Sequence, residues 1–392
     1  MAVATNLERK TLTQQIDGPI ALVANISLQR TNDVPYTFRQ DSNFWYYTGI
    51  HEPGCVLVMA SGDEYLILPK KNEIQKIFDG VTDIPDLKRR SGIENIYEYE
   101  AGWDNLKKLI KKHKKVNMLL PKKQFGMAIN PATNDVMRKI KRAVPTVAVN
   151  DISKQVARQR MVKTEYEIKN IQRAIDITNQ TLKDVFTDNW HEKYQNESEI
   201  ARDLHIGYLQ KGASGHAFEP IVASGKNACT IHYVKNDSTI ARNFPLLVDT
   251  GAEFMNYAAD ISRTYLPVNA STRQKEIYLA VREVADFARS IMQPGALMRD
   301  IEQQVEKRMG EVLIELGLIK INEAKEVRKY YPHAVSHHLG LDVHDLADYS
   351  VPLAENMVIT VEPGIYIKQE GIGIRIEDDV LITNTGNKLL SA

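Results

Sequence analysis

Short apolar runs separated by longer stretches of helical periodicity occupy the first 150 residues. PIALVA (19–24), GCVLVMA (54–60), EYLILP (64–69), VNMLLP (116–121) and VPTVAV (144–149) read as strands, the second and third joined by the turn-forming Ser61-Gly62-Asp63. NLKKLIKKHKK (105–115) reads as a helix whose lysines gather at its C-terminal end, where they suit the helix dipole. Apolar strands alternating with helices predict an α/β domain around a largely buried sheet.

Near residue 150 the pattern changes. Thr164-Glu165-Tyr166-Glu167 has the form of a capping box, and Ile168, Ile171, Ile175, Leu182 and Phe186 follow at the spacing of one buried helical face. A second helix is expected over 197–211, strands to about 268, two helices across 272–318, and strands again from 357. The chain therefore divides into an α/β domain, 1–153, and an α+β domain, 154–392, whose antiparallel sheet is expected to carry the chemistry.

Composition narrows the classes. The 392 residues hold 50 Lys and Arg against 50 Asp and Glu, so bulk positive charge is absent and a nucleic-acid or membrane-surface role is not expected. No apolar run approaches the roughly 18 residues of a membrane span. MAVATNLERKTLTQQ shows no secretory pattern, and Cys55 and Cys229 are too few for a disulfide framework or a cysteine zinc site. A soluble cytoplasmic protein is the expectation.

The candidate chemistry lies in the second domain. In LLVDTGAEFMNYAADISRTYLP (246–267), two apolar strands each carry an acid, Asp249 and Asp260. A fold-back at Phe254-Met255 would set them directly opposite, where carboxylates repel unless a cation sits between them. An exposed hairpin with unpaired acids is the other reading. MVITVEPG (357–364) places Glu362 at the end of an apolar run. In IGIRIEDDVLIT (372–383), Arg375 and Glu377 share the face opposite Ile372, Ile374 and Ile376. Glu377 could line a metal site, or Arg375 could be its ion-pair partner. Four of the ten histidines, His333, His337, His338 and His344, fall in PHAVSHHLGLDVHD. His333 and His337 have zincin spacing, yet Ala334 stands where that motif needs glutamate, which excludes a thermolysin-like site. His232, in ACTIHYVKND, is a further candidate. Four carboxylates and an imidazole suit Mn²⁺, Fe²⁺ or Co²⁺ better than a structural zinc, and a metal pair of that kind serves amide hydrolysis.

Asp249, Asp260, His337, Glu362 and Glu377, in the settings VDTGAEFMNYAAD, SHHLG, TVEPG and GIRIEDD, follow an order that resembles the pita-bread metallopeptidases, the family of methionine aminopeptidase, prolidase and aminopeptidase P. RQDSNFWYYTGIHEPGCVLVM (39–59) is similar to the creatinase/aminopeptidase P N-terminal domain. The resemblance implies a pita-bread catalytic domain that holds two divalent ions, Mn²⁺ foremost, with Co²⁺, Fe²⁺ and Zn²⁺ as alternatives. It implies that Asp249 binds one ion, that His337 and Glu362 bind the other, and that Asp260 and Glu377 bridge them. Glu362 would also shuttle a proton, His232 and His344 would stabilise the tetrahedral intermediate and leaving nitrogen, and His333 and Arg375 would line the proline side. His338 has no role in this scheme and is expected to be structural. The implied activity is cleavage of the N-terminal Xaa-Pro bond of peptides, with a dipeptide-restricted prolidase as the alternative and a metal-free scaffold as a third reading. Dimers or tetramers are common in the family. Pro220, in Phe218-Glu219-Pro220-Ile221, stands where many relatives differ, and subsite preference could differ with it.

Overall fold

The computed structural model describes residues 5–60, 62–122 and 130–392, so Ser61 of the expected turn and the first four residues of the N-terminal stretch lie outside it. The chain forms two compact units, Met1–Gln159 and Arg160–Ala392, and the division falls inside the helix Ser153–Met161.

The first unit is built on six strands: β1 (Ile20–Val23), β2 (Val56–Ala60), β3 (Asp63–Ile67), β4 (Asn95–Tyr97), β5 (Lys115–Met118) and β6 (Ala148–Asp151). They form one sheet in the order β4-β3-β2-β1-β5-β6, with β2 antiparallel to β1 and β3 and the other pairings parallel. Val23, Val58, Ile67 and Val116 pack with Leu106 and Ile110 of the helix Tyr99–His113. The basic residues do end that helix, and Lys114 turns the chain into β5 with a φ of 57°. Two details differ from expectation. β4 lacks a long apolar run. The last strand begins at Ala148 rather than Val144, because Val144 caps the helix Ala132–Ala143.

In the second unit, the Thr164 hydroxyl accepts from the Glu167 N–H and the Glu167 carboxylate from the Thr164 N–H, opening the helix Glu165–Val185. Helices Glu197–Gln210, Thr272–Ile291 and Met298–Glu315 follow the expected pattern. The strands are β7 (Gly215–His216), β8 (Ile221–Ser224), β9 (Leu246–Thr250), β10 (Ala252–Phe254), β11 (Tyr257–Ala258), β12 (Ile261–Tyr265), β13 (Val358–Val361), β14 (Gly364–Ile367), β15 (Ile372–Arg375), β16 (Asp378–Ile382) and β17 (Asn387–Leu389). They pair as β11-β10-β7, β12-β9-β8, β13-β16-β17 and β14-β15, every pairing antiparallel. Ile277, Val281, Val284, Ile301 and Val305 on the helices bury one face of these strands, packing on Ile359, Val361, Ile374 and Val380. Alternation along each strand turns the polar residues the other way. Among the described residues no helix is long and apolar enough to cross a membrane.

The acidic hairpin turns one residue later than expected. Met255 and Asn256 hold positive φ values of 51° and 65°, the pattern of a two-residue type I′ turn, and Phe254 pairs with Tyr257. Asp249 consequently faces Ser262, not Asp260. The two acids are diagonal neighbours on one face, still within reach of each other. Gly251 makes the approach possible, since a Cβ there would lie 1.7 Å from the Ala259 carbonyl oxygen.

Candidate active site

A cavity of about 320 Å³ in the second unit gathers His232, Asp249, Asp260, His337, His344, Glu362, Arg375 and Glu377, walled by Phe218, Ile231, Val234 and Val343. Of the residues given a catalytic, metal or substrate role from the sequence, all but His333 belong to this lining.

Backbone pairing explains the convergence. Asp249 lies on β9 and Asp260 immediately precedes β12. The Glu377 N–H donates to the Ser262 carbonyl at 3.0 Å, drawing the β15–β16 connection onto β12. The segment 335–339 runs beside β13: the Thr360 N–H donates to the His337 carbonyl and the Glu362 N–H to the Val335 carbonyl, both at 2.9 Å. That contact sets His337 Nε2 3.4 Å from both Asp260 Oδ2 and Glu362 Oε1. Asp260, His337 and Glu377 each offer a ligand atom within 4.8 Å of the others.

The electrostatics of this cluster are unfavourable as they stand. Burial pushes the Asp260 and Glu377 carboxyls well above the usual range; Asp249, Asp379 and Glu362 push Asp260 further, and Asp260, Glu362 and Asp249 push Glu377 further, with Arg375 opposing in both. Burial likewise raises Glu362 against the pull of His337 and Arg375. Asp249 Oδ1 is buried with no hydrogen-bond partner among the described residues. His337 Nδ1 lies 3.0 Å from the His338 carbonyl, which can only accept, so a neutral ring turns the Nε2 lone pair toward two acids. Acceptors facing acceptors, with one orphaned buried oxygen, are what a divalent cation would satisfy, and the oxygen-rich donor set fits hard or borderline ions.

Arg375 departs from the simple ion-pair reading. Its Nη2 donates to Asp249 Oδ2 at 2.6 Å, its Nε to Ser262 Oγ at 2.8 Å and its Nη1 to the Tyr366 hydroxyl at 2.8 Å. Glu377 is reached through Ser262, whose hydroxyl donates to Glu377 Oε2 at 2.8 Å. The Tyr366 hydroxyl lies 2.8 Å from His333 Nε2, while His333 Nδ1 lies 2.9 Å from the Ala334 carbonyl. The donor order therefore runs Arg375 to Tyr366 to His333. His333 is pushed down to about 3, first by burial and then by Arg375. His344 stacks edge-on at 4.3 Å from His337 and is pushed down to about 4 by burial, then by His337 and His232, so its ring is neutral at pH 7. Ser262, Tyr366, Thr360 and Asp379 were not evident from the sequence. Ser262 shares the alternation of Asp260, a signal that could have found it. Asp379, fully buried, accepts the Asp260 N–H at 3.1 Å. His338 is also fully buried and away from the cavity lining.

Comparison with known proteins bears on this geometry. A profile described as metallopeptidase family M24 matches residues 169–384, and one described as the aminopeptidase P N-terminal domain matches 6–119. Human Xaa-Pro aminopeptidase 3 is 32% identical over 96% of this chain and 78% of its own length. The Xaa-Pro aminopeptidase of Haemophilus influenzae is 31% identical over 98% of this chain and 93% of its own. The structure of zinc-substituted E. coli aminopeptidase P in complex with product superposes with a TM-score of 0.85 at 29% identity, covering 99% of this chain and 94% of that one.

Proposed function

The chain belongs to metallopeptidase family M24, and from that premise we propose that it is a metal-dependent aminopeptidase that releases the residue preceding proline at a peptide's N-terminus. The observation that carries the reading is the convergence of Asp249, Asp260, His337, Glu362 and Glu377 on one cavity. Asp249 and the His337–Glu362 pair would each hold one of two divalent ions, Mn²⁺ foremost, with Asp260 and Glu377 between them. Ions bound there would lower the pKa of a bound water and polarise the scissile carbonyl.

The remaining roles fall to this chain's own groups. Glu362, whose carboxyl burial raises above the usual carboxylate range, is suited to take and return a proton. His344, neutral at pH 7, can donate an N–H to an oxygen that gains charge without first being charged itself. His232, on the same wall, would take a similar part. The Arg375–Tyr366–His333 chain fixes one side of the cavity, where we place the proline ring and the carbonyl beyond it. Arg375 also restrains Asp249, so the acid does not turn away from its neighbours. A bond before proline is a tertiary amide with no N–H and with cis and trans forms close in energy, so an enzyme must recognise the ring rather than the usual backbone hydrogen bond.

A peptide-length series separates this reading from a dipeptidase. Comparable release of the first residue from Xaa-Pro, Xaa-Pro-Yaa and longer peptides is expected, all abolished by chelator. Cleavage confined to Xaa-Pro dipeptides would replace it with prolidase activity, and no cleavage of any proline peptide by the metal-loaded protein would refute both.

A further inference from the structure

Glu197 is the first residue of the helix Glu197–Gln210, and its side chain is fully buried although no catalytic scheme uses it. Its Oε1 accepts from the Ser224 N–H at 2.9 Å and from Asn227 Nδ2 at 3.0 Å. Its Oε2 accepts from the Tyr233 hydroxyl at 2.8 Å and from the Ser238 N–H at 3.1 Å. All four donors lie between 224 and 238. Apart from a short 3₁₀ turn at Gly225–Cys229, that segment has no regular structure after Ser224. Ile231, His232 and Val234 of the same segment line the cavity.

A buried carboxylate is stable only when its lone pairs are satisfied, and four donors on one stretch of chain make it a fixed hub for that stretch. Tyr233, next to His232, is tied to it directly. Asn236, with a φ of 48°, clamps the far side: its Oδ1 accepts from the Val222 N–H and its Nδ2 donates to the Pro220 carbonyl, both at 2.8 Å. The backbone on either side of His232 is thus held by side-chain hydrogen bonds, where a strand would be held by its neighbours.

We propose that Glu197 is a positioning residue that holds the 224–238 segment so that His232 meets the substrate. The proposal rests on the reading of His232 as a group that acts on the peptide. Glu197→Gln keeps the size of the side chain but turns one acceptor into a donor facing donors, breaking about half of the hub.

The test is a double-mutant cycle on the metal-loaded enzyme with an Xaa-Pro-Yaa tripeptide. His232→Ala is expected to lower kcat about a hundredfold, and Glu197→Gln alone about tenfold with bound metal unchanged. In the His232→Ala background, Glu197→Gln should add less than about a twofold further loss, because the group it positions is gone. An additive loss in the double variant, or an unchanged kcat in folded Glu197→Gln, would overturn the proposal while leaving the peptidase reading intact. Wild-type turnover in His232→Ala would overturn the proposal through its premise. If Glu197→Gln does not fold, Tyr233→Phe removes a single hydrogen bond of the hub and is read through the same cycle.

Discussion

His338 shows how much one side chain in this region can carry without touching the cavity. Its ring is fully buried, neither nitrogen has a hydrogen-bond partner among the described residues, and burial first, then Lys163, pushes it down to about 3. An unfolded chain takes up that proton near 6.5, so the folded state binds fewer protons and loses stability as pH falls below 6.5 toward 3. Replacing His338 with leucine should flatten the fall in unfolding free energy between pH 6 and 5 by up to about 1.4 kcal/mol per pH unit, measured by urea titration. An unchanged slope would show that His338 is not neutral in the folded protein. The sequence marked His338 as structural because His337 alone matched a ligand position, and period-two alternation put Arg375 and Glu377 on one face. The same sequence said nothing of Tyr366 or of Arg375 turning to Asp249, since those contacts join β14, β15 and β9 across the fold.

At the scale of elements, the loop carrying His344 is held as firmly as a strand. Asp345, buried beside it, pairs with Arg160 and with Lys163 Nζ at 2.9 Å, and its N–H donates to the His338 carbonyl at 2.8 Å. Burial alone would raise this carboxyl, but Arg160 and Lys163 bring it down to about 2. Gly340 is required here, because a Cβ would lie 2.4 Å from Asp345 Oδ2. Asp345→Ala takes the buried carboxylate away from Lys163 and from Arg160, which keeps Asp342 Oδ2 at 2.9 Å, and should cost about 3 kcal/mol or more of unfolding free energy. A loss under about 1 kcal/mol would mean that solvent reaches Arg160 and Lys163 in place of the acid. Element types were legible where periodicity was long, as in the helix opened by Thr164. The acidic hairpin was legible as a hairpin but not in register, which its turn conformation decides. Asn256 was the clue, since asparagine accepts a positive φ far more readily than phenylalanine.

For the whole molecule, the proposed ligand set comes from β9, the approach to β12, the segment before β13 and the connections that leave β13 and β15, separated by up to 128 positions in sequence, between 249 and 377. No local pattern could place such residues together. Their order and settings gave the family, and the pairing of 335–339 along β13 brings His337 to Asp260 and Glu362. Repulsion among the buried acids is the physical reason to expect that the cavity binds cations, and that expectation can be measured. Chelator-stripped protein should be re-titrated with Mn²⁺ while bound metal and release of the first residue from an Xaa-Pro-Yaa tripeptide are followed together. The proposed function predicts no turnover in the stripped protein, recovery that rises to a plateau at about two ions per chain, and no recovery in Asp260→Asn. Full turnover with chelator present and no metal bound would contradict it.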